Sequence, residues 1–243
     1  RVQPAMRLPV FVHAGVAAVP VPPGSTLEQL TALADELYDS QALEALAGEL
    51  IDGVRKTIGS AVHERRMWEQ NESYTVLFAE RIRGNPSADE VLMRADLARL
   101  LLGETDSRPL SRPESEAVTQ YRFSYSVDDL AVIDWNSAFV YEPSGSRDIP
   151  DLLEIANAQL LEFRFYDYLL DGHIASIHDR VQAQRHGWTA LFRSPYRNLV
   201  RETLSTLVDL NESIERLENS LKIIADFYLA KVYEAAVRRL RIP

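Results

Sequence analysis

Apolar residues recur along this chain with two periods, and the change from one to the other divides it. Over 73–81 (SYTVLFAER) β-branched and aromatic residues run together, and over 121–127 (YRFSYSV) Phe123, Tyr125 and Val127 alternate with Arg122, Ser124 and Ser126. A period of two marks a half-buried strand. LAVIDWNSAFVYE (130–142) follows an Asp128-Asp129 turn and is read as one second long strand, which closes a β-hairpin. LPVFVHAGVAAVPVP (8–22) is apolar, short and cut by Pro20 and Pro22, which suits a buried strand and not a signal-peptide core.

Elsewhere the spacing is three and four. Leu43, Leu46, Ala47, Leu50, Ile51 and Val54 predict one helix, and Leu92, Ala95, Leu97 and Leu100 another. STLE (25–28), SADE (87–90) and SRPE (111–114) put Ser three residues before Glu, the reciprocal spacing of a capping box at a helix start. Residues 1–145 therefore read β-α-α-β-α-α-β-β, an α+β domain with a mixed sheet and flanking helices.

From residue 146 the period of two disappears. Asp148, Pro150 and Asp151 form a helix start. After it Leu153, Ala156, Leu160, Phe163, Asp167, Leu170, Ile174, Ile177 and Val181 step alternately by three and four. Asp167 is the polar break in this seam, costly there unless paired. A loop near Gly187 is followed by a helix start at Ser194-Pro195. A second seam then runs through Leu207, Leu210, Ile214, Leu217, Leu221, Ile224 and Tyr228, with Glu212, Glu215, Arg216, Glu218 and Lys222 between. Residues 146–243 thus read as a long antiparallel helical hairpin with coiled-coil patterning, whose seam is the expected contact for a protein partner or for self-association.

Charge and composition narrow the function. The chain of 243 residues has 36 acidic and 26 basic side chains, a net charge of -10, and no cysteine. Phosphate backbones repel such a surface, so no nucleic-acid partner is expected. Disulfides, thiol nucleophiles and thiolate metal sites are excluded. Of the five histidines, His173 and His178 lie five apart, too far round a helix to share a metal, and are read as solvated. No phosphate-cradling GxxxxGK[ST] or GxGxxG and no GxSxG occurs. No metal and no cofactor is expected. EPSGSRD (142–148) reads as a turn and cap, and the basic VRRLRIP (237–243) as favourable charge at a helix C-terminus or a flank preceding a membrane segment.

Two groups of polar residues remain as candidate sites. Asp134 and Asn136 sit beside Trp135 in the hairpin, and Glu162 and Arg164 lie with Asp167 in the aromatic stretch EFRFYDY. They could line a ligand pocket. The competing reading is structural: a strand bulge for the first group, a salt-bridged rim for the second, and Trp135 in the core.

SYSVDDLAVIDWNSAFVYEPSGSRDIPDLLEIANAQLLEFRFYDYLLD and ADFYLAKVYEAAVRRLRIP, in that order, resemble bacterial relatives of the "required for meiotic nuclear division" family, a domain of unknown function, over roughly residues 72–243. The resemblance implies an α+β domain followed by long helices. It also implies a hydrophobic, membrane-anchoring terminal segment, which this chain stops short of, and it supplies no established catalytic residues to carry over. The expectation is a non-enzymatic scaffold or assembly protein. It would act through its helical hairpin, in the cytoplasm, and at the inner face of the membrane if tethered there through segments beyond this chain. The alternative is an enzyme or small-molecule binder with a pocket near Asp134, Asn136, Glu162 and Arg164. The 132–171 stretch is read as the joint between the two parts, with Leu152, Ile155, Phe165 and Leu169 facing the sheet.

Overall fold

The structure is a computed structural model that describes residues 14–38, 40–59, 68, 70–106, 108–184 and 226–240, with helical positions scattered over 201–215. The elements in order are α1 (Leu27–Tyr38), α2 (Gln41–Ile58), β1 (Thr75–Ala79), α3 (Ala88–Arg94), α4 (Leu97–Leu102), α5 (Arg112–Val118), β2 (Tyr121–Phe123), β3 (Leu130–Ile133), β4 (Ser137–Tyr141), α6 (Asp148–Gln184) and α7 (Phe227–Arg239). The chain divides into two compact units. One holds the sheet and comprises His13–Gln159 and Asp226–Pro243; the other contains Leu160–Ala225.

The sheet is four-stranded, in the order β1-β4-β3-β2. β1 pairs parallel with β4, while β4–β3 and β3–β2 are antiparallel, so the sheet is mixed. The central strands LAVI and SAFVY are buried at every position. That explains why they lack alternation: both faces are covered. Leu130, Val132, Phe139 and Tyr141 share a core cluster with Ala34 of α1, Val91 of α3, Leu97, Leu100 and Leu101 of α4 and Val118 of α5. Side chains alternate along a strand, so Ala131 and Ile133 take the opposite face. There they are fully buried, and α7 lies against β3.

Helix starts follow the capping chemistry. Ser87 and Glu90 form a full capping box, and Ser111 accepts from the Glu114 amide. At α1 the pair is shifted by one. Thr26 N–H donates to Gln29 Oε1 at 2.9 Å, in place of the expected Ser25 and Glu28.

Several expectations are corrected. Residues 14–22 form no strand, and Val16, Val19 and Val21 are exposed; residues 8–13 lie outside the described residues. The helix expected through Leu92–Leu100 breaks at Ala95, because Asp96 accepts the Arg99 amide and starts α4 afresh. β2 stops at Phe123, leaving Tyr125 and Val127 exposed. The supposed single strand 130–142 is two strands, β3 and β4. Trp135, at their turn, is 58% exposed and not a core residue.

In α6 the seam is buried at Leu153, Ala156, Leu160 and Phe163, but Asp167 is exposed, so no desolvation penalty arises there. Ile155 is exposed as well, while His173 is buried and not solvated. The second helix of the expected hairpin falls largely outside the described residues. Helical positions occur at Arg201, Thr203–Ser205, Leu207 and Val208, whereas Leu210, Ile214, Leu217, Leu221 and Ile224 lie outside. The expected seam does not run unbroken into Tyr228: Asp226 is extended, and its carboxylate caps α7 anew.

Gly103 shows how closely α1 and α4 meet. It ends α4 in the left-handed region at φ 63. A Cβ there would lie 2.9 Å from Tyr38 Cε2 and 3.0 Å from the Asp35 backbone. Gly103→Ala is therefore expected to destabilise the fold by about 2 kcal/mol, from combined strain and overlap. Urea titration of both proteins measures it; an unchanged midpoint would mean α1 does not sit on α4 in this way.

Candidate functional site

The polar residues that converge in the sheet-bearing unit do so at the two ends of β3. At its C-terminal end, Asp134-Trp135-Asn136 form the turn into β4, closed by Asp134 N–H donating to Ser137 O at 2.8 Å. The turn is tight because β3 and β4 are antiparallel neighbours. It drives the Asp134 side chain inward, where it has no exposed surface. Asp134 Oδ1 accepts from Arg239 Nε at 2.7 Å and also from Arg239 Nη2. Arg239 comes from the last turn of α7, and its side chain is 25% exposed.

Further groups from separate elements close around this corner. The Tyr74 hydroxyl reaches the carbonyls of Asp134 (2.9 Å) and Ser137 (2.7 Å). Ser137 Oγ donates to Leu101 O at 2.8 Å, and the Tyr38 hydroxyl donates to the same carbonyl. Burial pushes the Tyr74 phenol well above its ordinary value, and the Asp134 charge pushes in the same direction. Tyr38 is raised for the same two reasons. Asp134 Oδ2 and Asn136 Oδ1 have no hydrogen-bond partner among the described residues.

At the other end of β3, the buried Asp129 carboxylate accepts from the amides of Tyr125 (2.9 Å) and Ser126, which holds the β2–β3 loop. It also accepts from the Tyr228 hydroxyl at 3.4 Å, in the first turn of α7. Burial and then the Asp129 charge raise the Tyr228 phenol. Beside it lies a cavity of about 340 Å³ edged by Asp128, Glu142, Asp148 and Asp226. A second cavity, of about 410 Å³, is bordered by Arg94, Arg112 and Arg122, of which the first two pair with Glu90 and Glu116. Among the described residues no group of three or more acids and histidines is placed to hold a metal ion.

The two ends belong to one arrangement. From Asp129 to Asp134 a strand rising about 3.3 Å per residue covers roughly 17 Å. From Tyr228 to Arg239 a helix rising 1.5 Å per residue covers roughly the same. Residues eleven apart on a helix also return to nearly the same face, and Val232 and Ala235 between them are buried. Thus α7 runs along β3 in the same direction, attached at each end to an acid that flanks the strand. Tyr233 adds a bond to Gln159 Oε1 in α6. A carboxylate with no exposed surface, held by an arginine, acts on the fold.

Of the expected site residues, the structure brings Asp134 and Asn136 to one turn. Asn136 is half-buried, and its carbonyl accepts from Thr75 N–H at 3.1 Å. Glu162 (half-buried), Arg164 (exposed) and Asp167 (exposed) belong to the other unit, as does the exposed Leu207. Sequence reasoning missed Arg239, Tyr74, Tyr38, Asp129 and Tyr228. The basic last turn of α7 was the available signal for Arg239, but nothing local names a partner 105 positions away.

Two outcomes follow from this geometry. Arg239→Ala leaves Asp134 buried and unpaired, and is expected to cost about 3 kcal/mol, the low end for a broken buried pair because Arg239 is partly exposed. Chemical denaturation measures this; a loss below about 0.5 kcal/mol, the scale of a surface pair, would sink the reading. The second outcome concerns alkaline pH. Burial pushes the Tyr233 phenol from 10.0 up to about 12. The unfolded chain therefore loses this proton first as pH rises, and stability that is complete below about pH 10 is lost as pH climbs through the folded value. Tyr233→Phe should flatten the alkaline fall between about pH 10 and 12; a parallel curve in thermal melts would show that Tyr233 does not contribute.

Comparison with curated proteins and with solved structures returns no match. A family model described as "Uncharacterized protein MJ0711, N-terminal domain" matches residues 13–147, more than half of the chain and nearly all of the first segment of the sheet-bearing unit. That description carries no activity, substrate or partner. On this match, the chain belongs to the MJ0711 N-terminal domain family.

Proposed function

We propose that this chain is a non-enzymatic scaffold or assembly protein in which the sheet-bearing unit is a platform and the inserted segment is the working arm. The observation that carries the reading is the interruption of the platform. The chain leaves it after Gln159, inside α6, and re-enters it at Asp226. α6 continues to Gln184, which at 1.5 Å per residue is a rise of roughly 37 Å beyond Gln159. The segment thus starts from α6 and ends at a helix tied to Asp129 and Asp134, both within the sheet-bearing unit. The helical positions at Arg201, Thr203–Ser205, Leu207 and Val208 support a helical return, hence the antiparallel hairpin. Ile174, Leu204 and Val208 are 62%, 56% and 63% exposed, as apolar side chains awaiting a partner would be.

The partner is a protein or a second copy of the chain. The resemblance to the "required for meiotic nuclear division" family adds the further part of the proposal, association with the inner face of a membrane. No helix among the described residues is long and apolar enough to cross one.

Photo-crosslinking tests the assignment to the arm. A photoreactive residue at Val208 or Ile174 is expected to give a discrete protein adduct in the cells that make the protein, while the same probe at Met93, exposed on the platform, gives none. Absence of adducts from the arm, or equal adducts from Met93, would place the working surface elsewhere.

A further inference from the structure

We propose that α2 pairs antiparallel with α2 of a second copy, forming a two-fold dimer through the apolar stripe that α2 exposes. This inference is independent of the arm. Leu43, Leu46, Ala47, Leu50, Ile51, Val54 and Ile58 occupy one stripe of α2 at 3.6 residues per turn. A surface helix of this pattern ordinarily lays the stripe on a core. Here none of the residues of α2 is buried, and Leu46, Leu50 and Ile51 are 46%, 51% and 38% exposed. Such a contiguous apolar patch marks an interaction surface.

The charges beside the stripe select the occupant and its direction. Glu44 and Arg55 border it on one side and Glu49 on the other, while Lys56 lies farther round toward the opposite face. When two copies of a helix pack antiparallel, like edges face each other. Glu44 then meets the partner's Arg55 in both directions, with Leu50 near the two-fold axis. When they pack parallel, opposite edges face, and Glu44 is set against Glu49 in both directions. The antiparallel arrangement gains the Glu44–Arg55 attraction twice against a single facing of Glu49 on the partner's Glu49, so the charges favour self-pairing in that sense. The antiparallel helix dipoles agree with it. Arg55 is available for this: its 3.0 Å contact with Asp52 is between side chains 55% and 60% exposed, a pair that contributes little. Gly48 and Gly53 are consistent with a close neighbour from outside, since a Cβ on either would meet nothing within 4 Å among the described residues.

A helix of 18 residues is roughly 27 Å long. Two such helices bury an area near the lower limit of specific interfaces, roughly 1,200 Å² in total, so the dimer is of micromolar order and in exchange with monomer.

Sedimentation equilibrium of the full chain, between about 1 and 200 μM, tests this. The expected result is a monomer–dimer equilibrium that Leu50→Glu abolishes. Glu44→Lys alone, or Arg55→Glu alone, weakens it about tenfold or more, and the doubly substituted Glu44→Lys/Arg55→Glu chain recovers most of the loss. The exposed charge variants keep the test sound if Leu50→Glu fails to fold. A wild-type chain that stays monomeric overturns the proposal, and if Leu50→Glu also melts earlier, a segment of the same chain covers the stripe. A dimer indifferent to all these changes overturns it too, and would assign association to another surface, while leaving the crosslinking result for the arm unaffected.

Discussion

A carboxylate inside a protein must have a partner, and Asp134 has Arg239. Removing both charges from water costs several kcal/mol for each ion, recovered only through close geometry. Arg239 turns two N–H groups on a single oxygen of Asp134. The consequence is mechanical. The β3–β4 turn and the last turn of α7 are held together although they are 105 positions apart, and α7 cannot leave without stranding a buried charge. Tyr74, Ser137, Leu101 and Tyr38 then bring β1, α4 and α1 to the same corner.

The opposite end of α7 repeats the device in weaker form. Tyr228 reaches Asp129, which is already engaged by two loop amides. Because β3 is flanked by an acid at each end, and the strand and helix have matched lengths, one strand measures out one helix. The apolar middle of α7, Val232 and Ala235, is thereby set down on an already apolar sheet. Polar ends fix position and direction, and apolar burial between them supplies stabilisation, about 25 cal/mol per Å² removed from water.

Within the sheet-bearing unit, Ile149, Leu152, Leu153 and Ala156 of α6 are buried and α7 is tied at both ends. In the same unit Leu46, Leu50 and Ile51 of α2 are exposed. At Asp134 and Asn136 the β3–β4 turn is bonded to α7 through Arg239 and to β1 through Thr75.

The residues alone determined the class of fold and most of its punctuation. β-Branched and aromatic residues mark the strand regions, Ser87 and Ser111 mark helix starts by local hydrogen bonds, and the change at 146 marks the long helix α6. All of these are short-range effects, written within a few residues of where they act. The split of 130–142 into two strands escaped this reasoning, because a strand buried on both faces carries no alternation to show where it ends. Trp135 escaped it too, since a large apolar residue at a turn tip resembles a core residue in any pattern. Only the tertiary structure decided that Asp134 belongs with Arg239 and Asp129 with Tyr228, that Asp167 faces water, and that α2 presents leucines to solvent. Pairings across a hundred residues depend on where the sheet places its ends, and that is set by the packing of all elements together.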